Sequence, residues 1–214
     1  MNAINEHATQ QLFTEARTHS HWRDQGIAAD TLRHLYQLAS MGPTSMNTLP
    51  ARFVFLTTPA AKQRLLPALS EGNHEKTLAA PVTVIVAHDL KFYTELPELF
   101  PHMAGADQMF AKDSALAEVT AFRNGTLQGA WLIMAARALG LDCGPMSGFD
   151  NAKADEIFFS DNDWKSNFLV NLGYGVEDKL HERGKRLDVE TACILLKSGR
   201  LIPLYKKILA KTTH

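Results

Sequence analysis

The sequence predicts one domain in which helices predominate around a few strands, and three observations carry that reading. Pro81-Val82-Thr83-Val84-Ile85-Val86-Ala87 is short, β-branched and almost wholly apolar, as a strand covered on both faces must be. Ser114 to Leu139 holds the longest helical pattern, apolar nearly all round from Gly129 and stopped at Gly140. Such a helix is either a central pillar or a subunit interface. No repeat, low-complexity tract or composition break marks a linker within the 214 residues, whose 45% hydrophobic content suffices for one substantial core.

In chain order, Ala3 to Ala16 read as a helix, and Asp30 is a good N-cap for a second carrying Leu32, Leu35, Tyr36 and Leu38 on one face. Gly42-Pro43-Thr44-Ser45-Met46-Asn47 then makes a polar turn before the strand-like Arg52-Phe53-Val54-Phe55-Leu56. Thr58-Pro59 supplies a cap and a proline at the first helical position, opening a helix that stops near Gly72. Residues 89–112, with Pro97, Pro101 and Gly105, form the least regular stretch, either a lid or a packed excursion. A turn at Gly144-Pro145-Met146-Ser147-Gly148 follows, then a short helix capped by Asp150, a strand Phe168 to Tyr174, and a C-terminal helix after Asp188.

The formal charge of −1 and the lack of a basic run argue against nucleic acid. Cys143 and Cys193 lie far apart and form neither a CxxC pair nor a disulfide framework, which fits free thiols in a reducing compartment. Met1 to Arg17 lacks the apolar core of a secretory signal, and Leu127 to Leu141 is too short to span a bilayer. A cytoplasmic protein with no membrane partner is expected.

Phosphate-loop, dinucleotide-fingerprint, nucleophile-elbow and zinc-pair motifs are missing from the sequence. His19 and His21 have no nearby ligand cluster, so no metal is expected. Arg17, Arg183 and Arg186 fall near element ends, where forked guanidinium donors could converge on a phosphate or simply face solvent. Asn124 and Gln128 lie one turn apart in the apolar helix and need partners, either a ligand or a facing backbone. Cys143 has apolar neighbours and reads as structural.

Six segments in order resemble the flavin-dependent nitroreductase family, across nearly the whole chain. They are Glu15 to His19, Gly42 to Asn47, Gly72 to Thr77, Phe122 to Gly129, Gly144 to Asp150 and Trp164 to Asn171. The resemblance implies an α+β sandwich with a mixed, largely antiparallel sheet flanked by helices, a long central helix at a dimer interface, and one FMN per subunit of a homodimer. It implies that Arg17 and His19, with Arg186 and Arg183, hold the phosphate and ribityl chain. Pro43, Thr44, Ser45 and Asn47 would come from the partner subunit. Asn73 and Lys76 would meet the pyrimidine edge, and Pro145, Ser147 and Gly148 would lie along the ring. Redox chemistry would belong to the flavin, with NADH or NADPH as donor and Lys76 and Ser147 beside the ring.

His19 stands where many members carry serine, and Ser147 where several carry glutamate, which is similar to the malonic semialdehyde reductase branch. A small acceptor such as that semialdehyde is expected, with broad nitroaromatic or quinone reduction as the alternative and a non-catalytic flavin-binding dimer as the reading from another class.

Overall fold

The computed structural model describes residues 2–197 and 200–203. The chain divides into two compact units, Met1–Leu180 and His181–His214. The first is built on four strands, β1 (Ala51–Leu56), β2 (Val82–Asp89), β3 (Asp142–Met146) and β4 (Trp164–Gly173). They lie in the order β1-β2-β4-β3, and every neighbouring pair is antiparallel. One parallel contact joins the sheet from outside these strands, an isolated bridge from Thr18 to Cys143. The helices of this unit are α1 (Glu6–Thr9), α2 (Ala29–Ala39), α3 (Pro59–Leu65), α4 (His74–Ala79), α5 (Leu96–Leu99), α6 (Ala106–Ala111), α7 (Ser114–Ala138) and α8 (Asn151–Phe159).

The apolar run Val82 to Ala87 forms the inner strand β2 and is buried at every position. Alternate residues point to opposite faces. Val82, Val84 and Val86 meet Leu35 and Ala39 of α2 and Leu132 and Ala136 of α7. Ile85 and Ala87 meet Leu65 of α3 and Ala154 and Phe159 of α8. Helices therefore cover both sheet faces, an α+β sandwich. α7 crosses closely because it is glycine at the contact: a Cβ on Gly129 would lie 2.5 Å from Phe168 Cζ.

Local caps account for several element starts. Thr58 accepts from Ala61 N with Pro59 in the first turn of α3, and Asp150 accepts from Lys153 N to open α8. Gly140 takes φ +74 after α7, the left-handed conformation that glycine adopts without penalty. Residues 92–111 are a packed excursion with its own small core, in which Phe92, Leu96, Ala106 and Phe110 bury against Ala117 and Ala121 of α7. Among the described residues no helix is long and apolar enough to cross a membrane.

Four expectations are corrected. The first helix is only α1, running into a π-helical turn at Gln10–Thr14. That turn docks on the end of α7, where Gln11 Nε2 donates to Arg137 O and an Arg137 guanidinium nitrogen donates to Leu12 O. Asp30 is no cap: α2 begins one residue earlier, and Asp30 pairs with Arg33 in its first turn. Gly144-Pro145-Met146 is not a turn but most of the edge strand β3, a place where proline's missing N–H is tolerated.

The predicted C-terminal helix shrinks to α9 (Val189–Ala192) in the second unit. Asp188 does cap it, accepting from Thr191 N, but Cys193 turns extended at φ −129. An antiparallel pair, β5 (Ile194–Lys197) with β6 (Arg200–Pro203), follows.

His88 ends the buried run with its Nδ1 enclosed and without a hydrogen-bond partner among the described residues. Burial pushes its pKa down, outweighing the smaller upward pulls of Asp155, Glu118 and Asp89; Lys165 adds to the fall. The unfolded chain therefore takes up this proton first as pH falls. Stability from neutral His88 is complete above the ordinary histidine value of 6.5 and is lost as pH drops through the depressed pKa. Urea unfolding from about pH 7.5 to 5 should show a decline that is shallower in His88→Gln.

Candidate functional site

Functional candidates gather at the two ends of β2. At the end where Ala51 faces His88, the polar turn is held in an unusual backbone. Met46, Asn47 and Leu49 have φ of 51, 51 and 39, left-handed values that cost free energy for residues with a Cβ. Four bonds keep it so. Ser45 N donates to Asn124 Oδ1 (2.8 Å), and Ala51 N donates to Gln128 Oε1 (2.8 Å). Leu49 N donates to Thr44 Oγ1 (3.2 Å), and Asn47 Nδ2 to Leu99 O (2.9 Å). The amides of α7 are thus spent on facing backbone. Pro43, Ser45 and Asn47 remain exposed and Thr44 half-buried.

At the other end, Thr18 and His19 meet the free edge of β3, and His21 to Arg23 pair with Tyr174 to Val176. His19 N donates to Cys143 O, and Trp22 bridges Gly175. The His19 imidazole is turned inward, only 6% exposed, with Nε2 3.4 Å from Asp142 Oδ1. Gly175 makes room for it, since a Cβ there would lie 1.9 Å from Nδ1. His19 Nδ1 and Trp22 Nε1 are buried and find no hydrogen-bond partner among the described residues. Arg17, half-buried, sits two residues before the ring.

Asn73 opens α4 and donates from Nδ2 to Gly148 O (2.7 Å), joining two of the predicted segments. Close approach requires glycine there, as a Cβ on Gly148 would come within 2.5 Å of Asn73 Nδ2. Lys76 is half-buried and lines a groove of about 470 Å³ with Ser20, His21, Trp22, Gly72 and Lys179. Pro145 and Ser147 are exposed at the end of β3. The groove offers cations and polar edges to an anionic, partly flat ligand. Burial pushes the Cys143 thiol up to about 12, leaving it protonated and unsuited to nucleophilic chemistry. Among the described residues no group of His, Cys, Asp and Glu could hold a metal ion.

The structure thus joins Asn73 to Gly148 and brings Lys76 into one groove with Ser20, His21 and Trp22, the residues that follow Arg17–His19. It does not bring the Pro43–Asn47 turn to them. From Ala51 to Leu56 the register runs five residues along β1, about 17 Å, and Lys76 lies near the far end through Asn171, the partner of Thr83. Arg183 and Arg186 belong to the second unit; both are exposed, and Arg186 Nη1 donates to Gly184 O (2.7 Å). Trp22, Asp142 and Asn171 escaped prediction. For Asn171 a signal existed, a polar residue inside the apolar strand Phe168 to Leu172.

The two α7 amides should respond differently. Gln128→Leu strands a buried backbone N–H and should cost about 1–3 kcal/mol in urea unfolding. Asn124→Ala frees the N–H of exposed Ser45 to water; it should cost less yet speed amide hydrogen exchange across residues 44–47.

A family model described as the nitroreductase family matches residues 14–174. A Burkholderia lata protein, carried under the provisional name NADH dehydrogenase/NAD(P)H nitroreductase, is 56% identical over 190 residues, 89% of this chain and 97% of that one. Solved structures agree in fold. A Bacillus subtilis nitroreductase superposes with TM-score 0.79 at 19% identity, covering 90% of this chain and 100% of its own. An Exiguobacterium sibiricum nitroreductase solved in complex with FMN gives 0.78 at 18%, covering 90% and 98%. With the family model spanning the sheet, α7 and the groove, and so close a full-length relative, this chain belongs to the nitroreductase family.

Proposed function

We propose that the protein is an FMN-dependent NAD(P)H oxidoreductase acting as a homodimer, with each flavin held between one protomer's groove and its partner's polar turn. The observation that carries this reading is the separation of those two features at opposite ends of β2. A second copy brings them together. The exposed side of α7 is suited to that role: Leu127 and Trp131 are 47% and 41% exposed, with Trp131 against Gly42 at the start of the turn, and Phe122 is 51% exposed on the other flank, against His88.

The residues present fit the cofactor. The enclosed, unpartnered Trp22 Nε1, the cations Arg17 and Lys76 and the Asn73–Gly148 contact suit a ligand with an anionic tail and a polar ring edge. Bound flavin would exchange reducing equivalents between a nicotinamide and a small acceptor. Arg17 would grip the phosphate with its forked donors. His19, turned inward, would act less as a phosphate donor than as the ring that seats Asp142 and Gly175. Asn73, its amide nitrogen spent on Gly148, would present its carbonyl oxygen to the ring edge. Lys76 would place positive charge where the reduced ring accumulates negative charge. Pro145, Ser147 and Gly148 would lie along the ring, and Pro43, Thr44, Ser45 and Asn47 would close the site from the partner.

For the acceptor we propose malonic semialdehyde, reduced to 3-hydroxypropionate. Ser147 supports this, because a neutral hydroxyl beside the ring does not repel an anionic acceptor as a carboxylate would. Reduction of nitroaromatics or quinones is the second reading, favoured by the name of the Burkholderia relative.

NADH should bleach the visible absorbance of the flavin-loaded protein, and turnover of malonic semialdehyde should exceed that of nitrofurazone. Flavin that keeps its colour with NADH and with NADPH would leave a flavin-binding dimer without turnover. Phe122→Glu should yield a monomer that loses FMN on gel filtration; a folded monomer retaining stoichiometric flavin would sink the shared-site reading.

A further inference from the structure

Asn171 is an unusual resident of β4. Its neighbours Val170 and Leu172 are apolar and fully buried, and Asn171 is itself only 1% exposed. A carboxamide at such a place needs partners on both its atoms. Thr83, its cross-strand partner on β2 and fully buried, donates from Oγ1 to Asn171 Oδ1 at 2.7 Å. That bond decides which end of the amide points away. Asn171 Nδ2 is thereby directed at α4, where it donates to Lys76 O at 3.2 Å. The same carbonyl accepts from Ala80 N, so the backbone of Lys76 is held by its own helix and by the sheet at once. Gly144 lies opposite Asn171 on β3, and its missing side chain admits the backbone of His19, whose O would lie 2.4 Å from a Cβ there.

A hydrophobic residue at 171 would fill the core more simply. A buried polar pair earns its place when it fixes one arrangement among several. The arrangement fixed here is the position of the α4 backbone at the residue whose side chain lines the groove.

We infer that Asn171, oriented by Thr83, is a positioning residue that sets where the Lys76 ammonium stands against the reduced flavin. This rests on the assignment of Lys76 to the flavin edge. Asn171 touches no cofactor; it acts through the Lys76 backbone, so its removal should alter redox poise and not stability alone.

The test is the midpoint potential of bound FMN, equilibrated against a reference dye in flavin-loaded wild type, Lys76→Met, Asn171→Leu, Thr83→Val and the Lys76→Met/Asn171→Leu double variant. Lys76→Met should shift the potential negative and weaken binding of reduced FMN relative to oxidised FMN by roughly tenfold, the scale of one charge-assisted contact. Asn171→Leu should shift it the same way, Thr83→Val by less, and the double variant should shift no further than Lys76→Met. Thr83→Val, which removes one hydroxyl at constant shape, keeps the test open if Asn171→Leu fails to fold. The inference is overturned if Asn171→Leu, or Thr83→Val in its place, lowers the melting temperature with the potential unchanged, or if the shifts at 171 and 76 add. A Lys76→Met protein with wild-type potential would instead overturn the flavin-edge assignment and the inference with it.

Discussion

Burial of β2 on both faces is the constraint from which the rest of the molecule follows. Six consecutive residues, Val82 to Ala87, have no contact with water, so helices must cover each side of the sheet. α2 and α7 cover one face, α3 and α8 the other. A ligand is then confined to the ends and edges of the sheet. Thr18 and His19 meet the edge strand β3, and the ends of β2 carry the turn and the groove. The two buried polar members of the strand mark those ends. Thr83 is satisfied by Asn171, whereas the enclosed nitrogen of His88 has no partner among the described residues.

Where local physics decides, the sequence was legible. Composition alone placed β2 in the sheet interior, and the caps at Thr58, Asp150 and Gly140 appear where short-range bonding and glycine's freedom put them. Reading failed where a distant contact overrode a local preference. Gln10 to Thr14 widen into a π-helical turn on contact with Arg137, and Gly144-Pro145-Met146 looks like a turn but pairs along β4. Asp188 does begin a helix, yet a one-residue cap says nothing of how far the helix runs before Cys193 extends.

The site followed the same division. The order of its segments was visible, and the pairing of Asn73 with Gly148 is consistent with it. The inward turn of His19 was not visible, because it depends on the missing side chain of Gly175, 156 positions later in the chain. Nor was the use of Asn124 and Gln128, which required knowing what faces the helix. Polar residues in apolar elements were the most informative signals and the hardest to assign, since burial demands a partner without naming it.

The turn at Met46 to Leu49 shows why strain and exposed apolar surface belong to one argument. Three left-handed residues with side chains cost about 1–3 kcal/mol each, and the four bonds described above hold them in place. The turn displays Pro43, Ser45 and Asn47 outward, next to an α7 face whose aromatic side chains are left half in water. In the proposed homodimer both features would serve contact with another copy. In the proposed dimer the same contact buries the α7 face and delivers the turn to the groove, so that cofactor retention and subunit association depend on one surface.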